Sequence, residues 1–148
     1  MRNLQRGQAI VEFAIVLPLF VLLVFAIFFI GMMMVDYLTL SSLARSSARD
    51  AAVIKVEDYK KYKYQEIRSK YENNKLPIDI FEWNPKTSKE DFKITYEKNS
   101  QNVKVEMKAA LNTDGYALAK VVDNLAGSKM KKIKINVTYN MYSENKLE

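Results

Sequence analysis

The chain contains no cysteine and no histidine. That excludes disulfide scaffolds, thiolate or imidazole metal sites, and any nucleophile activated by histidine. It has only four glycines and three prolines. With no G-x-G-x-x-G and no G-x-x-x-x-G-K-[ST], there is no phosphate-cradling loop. Adjacent acids such as Glu57-Asp58 and Glu90-Asp91 usually point apart, and no catalytic constellation emerges, so the expectation is a protein that is not an enzyme and needs no cofactor and no metal. The lack of cysteine also suits a domain outside the membrane without disulfide machinery.

Charge is absent from one long stretch. Between Ala9 and Val35 the only ionisable residue is Glu12. This 27-residue run makes a helix of about 40 Å, longer than a hydrocarbon core of about 30 Å. Leu, Ile, Val, Phe, Ala and Met surround the axis, whereas a water-soluble core helix keeps one polar face. Arg2 and Arg6 precede the run without an acid beside them, and the first charge after it is Asp36. The positive-inside rule then puts the N-terminus in the cytoplasm and the remaining residues outside, a single-pass arrangement in the cytoplasmic membrane. A cleaved secretory signal is disfavoured, because its apolar region is typically about 7–15 residues.

Two residues inside the run stand out. Pro18 removes a helix hydrogen bond and is either harmless or a kink. Glu12 places a carboxylate near the cytoplasmic edge of the apolar zone, where it either snorkels to the headgroups or serves a partner.

The leader carries more. Met1 to Gly7 is short and basic, and Glu12-Phe13 follows Gly7 by five and six residues at the head of the apolar helix. This pattern resembles type IV prepilins. The stretch from Arg6 to Leu19 is similar to the RGQALVEFALVLPL start of TadE-like proteins, the minor pilins or pseudopilins of the tight-adherence (Tad/Flp) system. Ala44 to Ala52 resembles the small, basic helix after the span in that family. The resemblance covers roughly residues 6–52. It implies cleavage by a prepilin peptidase between Gly7 and Gln8, and pairing of Glu12 with the new Gln8 amine of a neighbouring subunit. It also implies assembly into, or at the tip or base of, an adhesive or secretion pilus. The implied partners are the peptidase, other pilin subunits, the assembly platform and membrane lipid, with no nucleic acid. The rival reading is an uncleaved single-pass anchor with an extracytoplasmic binding domain.

The net charge of +6 falls wholly on residues 37–148, since Arg2 and Arg6 offset Glu12 and Asp36. A basic exterior could meet anionic lipid or polymer, but a solvated lysine surface is the simpler reading. The helix is expected to continue, with Leu40, Leu43, Ala44, Ala48, Ala51 and Ala52 on one face. A second helix is expected over Lys55 to Asn73, with Tyr59, Tyr62, Ile67 and Tyr71 on one side as a packing face or a sugar- or surface-binding strip. Residues 74–91 read as a break.

The period then changes to two. Phe92, Ile94 and Tyr96 alternate with polar residues, as do Val103, Val105 and Met107, and Ile133, Ile135, Val137, Tyr139 and Met141. Asn99-Ser100-Gln101 connects the first two strands. A short helix capped by Thr113 or Asp114, apolar at Ala117, Leu118, Val121, Val122 and Leu125 and ended by Gly127, is expected between strands two and three. A free C-terminal tail is expected after the last strand. Lys129 to Lys134 is a basic cluster at the start of the third strand. The expected class is α+β: a long N-terminal transmembrane helix continuing into an external helix, packed with a small antiparallel sheet. The expected divisions are a leader at 1–7, a membrane helix at 8–36, a helical neck at 37–73 and an α+β region at 74–148.

Overall fold

The structure is a computed structural model that describes residues 2–115, 120, 123–124, 127 and 133–147; for residues 2–7 and 9 it describes the backbone only. The short helix expected after Asp114 falls mostly outside these residues, as do positions 129–132 of the basic cluster. Among those described, Lys120, Asp123 and Asn124 are helical and Gly127 adopts φ 66°.

The architecture is α+β. Helix α1 spans Arg2–Ala52, followed by α2 (Val56–Tyr62), α3 (Gln65–Tyr71), β1 (Phe81–Glu82), β2 (Phe92–Glu97), β3 (Asn102–Leu111) and β4 (Lys134–Tyr142). The chain forms two compact units, Met1–Met34 and Val35–Glu148. In the first, no residue from Ile10 to Met34 is buried, and Ile10, Leu19 and Leu22 are each about 70% exposed. Helix α1 runs through Pro18 without a break.

The second unit is built around β3. Every second residue of β3 is buried, from Val103 through Val105, Met107 and Ala109 to Leu111, as expected for a half-buried sheet. β3 pairs antiparallel with β2 (Ile94 opposite Val105), with β4 (Val105 opposite Tyr139) and with β1 (Phe81 opposite Leu111). The turn between β2 and β3 places Gln101 at φ 53°. Such a turn needs one left-handed residue, which a non-glycine adopts at some cost. β1 was not expected; it lies within the stretch read as a break and pairs with the end of β3.

The C-terminal part of α1 buries Leu40, Ala44, Ala48 and Ala51 completely, against the apolar side of the sheet, whose Phe92, Val103 and Met107 are also fully buried. Small residues at four-residue spacing let the helix approach closely. Two positions correct the expected face: Leu43 is only half-buried, and Ser47 is buried, its hydroxyl donating to the Ala44 carbonyl at 3.1 Å. That hydrogen bond satisfies the hydroxyl inside the core.

The helix expected over Lys55 to Asn73 is two short helices. Lys63 takes φ 52° between them, and Tyr64 turns inward. Tyr62, expected on the packing side, is exposed, and Tyr64 fills that role. Arg68 of α3 fixes the arrangement by donating to the Phe92 carbonyl at 2.6 Å and to the Pro85 carbonyl.

The C-terminal tail is not free. A helix end leaves carbonyls without intrahelical partners. Here the tail supplies donors: the Glu144 amide to the Ala52 carbonyl at 2.9 Å, the Ser143 hydroxyl to the same oxygen at 3.3 Å, and the Asn145 amide side chain to the Ile54 carbonyl at 2.9 Å. Leu147 is buried.

Candidate functional site

The N-terminal turns of α1 bring two of the predicted residues together. Gln8 and Glu12 lie one helical turn apart, and the Gln8 side-chain amide donates to Glu12 Oε1 at 3.1 Å. Both side chains are exposed, so this bond is worth little in water and more in lipid, where the carboxylate has few alternatives. Gly7 sits in the same helix, immediately before Gln8. Pro18 lies about three turns from Gly7 and makes no part of this pair.

One helix among the described residues is long and apolar enough to cross a membrane. It suits a single-pass anchor. From Ile10 to Met34 its apolar side chains face outward, and lipid or another subunit can cover them.

The first acid after the apolar run has a role that its place in the sequence did not reveal. Asp36 is completely buried. Its carboxylate accepts backbone N–H bonds from Ile78 at 3.1 Å, Ile80 at 2.8 Å and Phe81 at 3.1 Å. A buried carboxylate is tolerated when several donors converge on it. The available signal was a carboxylate at the end of an apolar run with no basic residue three or four positions away.

A second contact links α1 to β4. Arg45 donates to the Tyr139 hydroxyl from Nη2 at 2.7 Å and from Nε at 3.1 Å, and its guanidinium lies 5.3 Å from that ring's centre. The hydrogen bonds from Arg45, then Ser41, hold the Tyr139 hydroxyl below the ordinary phenol range. Among the described residues, no group of three acidic side chains is placed to hold a metal ion.

The sequence of α1 decides what this helix resembles. A family model described as TadE-like protein matches residues 7–49. Residues 7–49 are TadE-like. The TadE-like stretch begins at Gly7, takes in Gln8, Glu12, Pro18, Asp36 and Arg45, and stops at Arg49, three residues before α1 ends. It supports a protein associated with the Tad pilus. The sheet lies outside the match. No curated protein and no solved structure matches the chain.

Proposed function

We propose that this chain is a minor pilin or pseudopilin of a Tad-type pilus. A prepilin peptidase cuts between Gly7 and Gln8, and the assembly platform draws the trimmed subunit out of the membrane into the pilus, or to its tip or base. The N-terminus faces the cytoplasm before assembly and Val35–Glu148 faces outward.

The observation that carries the reading is the head of α1: a TadE-like stretch starting at Gly7, with Gln8 and Glu12 one turn apart at the start of an apolar run that is otherwise uncharged to Val35 and has no buried residue from Ile10 to Met34. Gly7 has no side chain to obstruct a protease cleft. The cut creates an α-amine on Gln8. Among the described side chains of the uncut chain, Glu12 meets the Gln8 amide; in a filament the amine of a neighbouring subunit supplies an opposite charge, which a desolvated carboxylate needs. The apolar helix then exchanges lipid for sister helices at little hydrophobic cost, because both surroundings are apolar.

The test is to express the chain with its own pilus machinery and to shear the cells. Wild-type chain is expected in the sheared fraction, lacking residues 1–7. Gly7→Leu is expected to remain in the membrane with its leader attached. Recovery of full-length Gly7→Leu in the sheared pili would contradict the proposal.

A further inference from the structure

Tyrosines of α2 and β2, and Tyr64 just before α3, border a cleft of about 350 Å³ that no part of the pilin reading uses. Tyr59, Tyr64 and Tyr96 line it, with Lys63, Gln65 and Thr95 among the polar residues around them. The Tyr59 and Tyr64 rings meet edge-on at 5.1 Å between centres, and Tyr59 and Tyr96 are tilted at 6.3 Å.

Two features separate this cleft from an ordinary packing face. The Tyr64 hydroxyl is enclosed and has no hydrogen-bond partner among the described residues, an arrangement that folded proteins avoid. Its neighbour Tyr59 is lightly held, because α2 has no buried residue. A ligand hydroxyl entering beside Tyr59 can supply the missing partner. The second feature is Lys63. It holds a left-handed φ of 52° without being glycine, and its ammonium pairs with no carboxylate among the described residues. Strained residues of this kind concentrate at binding sites. Arg68, also in the wall, is committed to the Phe92 and Pro85 carbonyls, so Lys63 is the available cation.

We propose that this cleft binds a saccharide, one sugar ring lying against the tyrosines and an acidic substituent of uronic-acid type drawn to Lys63. A pyranose ring has an apolar C–H face and a girdle of hydroxyls. The cleft has the matching layout: aromatic rings at the centre, an amide, a hydroxyl and an ammonium at Gln65, Thr95 and Lys63, and a buried hydroxyl in need of a partner. A few polar groups set around an apolar centre are the general form of a small-ligand site. No carboxylate lines the cleft, and Glu72, beside its wall, is paired with Arg68 at 3.7 Å, so an acidic sugar meets the Lys63 ammonium.

The test uses the full chain with its leader, in detergent micelles, so the result does not depend on N-terminal processing. Alginate oligosaccharides, which are uronic acids, and neutral dextran oligosaccharides are titrated while backbone amide shifts are followed. Saturable shifts are expected at Lys63, Tyr64, Gln65, Thr95 and Tyr96, with alginate binding about two- to fivefold tighter than dextran. Lys63→Gln is expected to abolish that preference. Tyr59→Ala is expected to weaken both sugars roughly tenfold. Tyr59→Leu keeps the bulk without the ring and is expected to do the same, with Trp83 emission confirming that each variant is folded. Absence of saturable shifts at these amides, a preference that survives Lys63→Gln, or unchanged binding in folded Tyr59→Ala and Tyr59→Leu would overturn the proposal.

Discussion

The buried carboxylate of Asp36 accepts the backbone N–H of Ile80 at 2.8 Å, across 44 positions of sequence. The same oxygen takes the N–H of Phe81, and the other oxygen takes that of Ile78. One side chain thereby holds the segment leading into β1 against α1 at the point where the apolar run ends. Asp36→Ala strands these donors in the core and should cost about 3 kcal/mol or more. Asp36→Asn keeps one acceptor oxygen, enough for Ile80 and Phe81, but turns an amide toward the Ile78 N–H; its loss should be smaller. Urea unfolding of the full chain in detergent, followed by Trp83 emission, ranks the two. Trp83 is the only tryptophan and is buried, so it reports on this unit. Equal stability of wild type and Asp36→Ala would contradict the clamp.

The tail gives a second prediction. Leu147 is buried and the residues before it bond the end of α1. Leu147→Ala should cost about 2–4 kcal/mol, the usual range for a buried leucine. Removing residues 143–148 should cost at least as much, by also exposing the Ala52 and Ile54 carbonyls. The same unfolding measurement checks both, and a truncated chain as stable as wild type would restore the free tail.

A third prediction concerns pH. Lys70 Nζ lies 2.6 Å from Asp50 Oδ2, and the Tyr71 hydroxyl donates to the same oxygen at 2.8 Å. Partial burial pushes the Asp50 carboxyl up, but the bonds from Lys70 and Tyr71 and the charges of Lys70 and Arg49 together hold it below its ordinary range. A carboxyl depressed in the folded state adds stability above its unfolded value and loses it as pH falls through the folded value, here below about pH 4. Tyr71 is raised, first by burial and then by its bond to Asp50. Its contribution is complete below its unfolded value and is lost as pH rises past about 10. Tyr71→Phe should therefore lower stability by about 1 kcal/mol at pH 7, and by less once the pH has fallen through the depressed folded value of Asp50. A gap that stays constant as acid protonates Asp50 would show that the bond to Asp50 is not its source.

The legibility of this chain follows the range of its interactions. Strands β2, β3 and β4 were visible because alternation is a local pattern: Phe92, Val105 and Val137 are buried as expected, while Ile94, Tyr96, Ile135, Tyr139 and Met141 are only half-buried and Ile133 lies exposed before β4. The head of α1 was visible for the same reason, since Gly7, Gln8 and Glu12 lie within six positions. Asp36 was not, because its donors lie 42 to 45 residues away. The break at Lys63 was hidden because neither glycine nor proline marks it, and the inward Tyr64 meets Tyr59, which in turn meets Tyr96 of β2, a residue 32 positions on from Tyr64. The tail looked free because its partners, Ala52 and Ile54, are 91 positions distant.

Glu12 distinguishes a lipid-facing acid from a subunit contact. If it only snorkels, Glu12→Gln is nearly silent, because a neutral amide is cheaper in lipid. If it pairs with the Gln8 amine of an adjacent subunit, losing one partner of a desolvated pair costs about 3–5 kcal/mol. The account predicts normal insertion and leader removal, with a steep fall in the protein recovered from sheared pili relative to the processed membrane pool. Glu12→Asp, which keeps the charge but shortens the reach, should be intermediate. Equal ratios for wild type and Glu12→Gln would remove the pairing.

The most direct measurement is the N-terminus of the wild-type chain made together with its own prepilin peptidase, read by intact mass and N-terminal sequencing. The account predicts a mature chain that begins at Gln8, lighter by residues 1–7. A chain that still begins at Met1 under these conditions would contradict it and leave an uncleaved single-pass anchor.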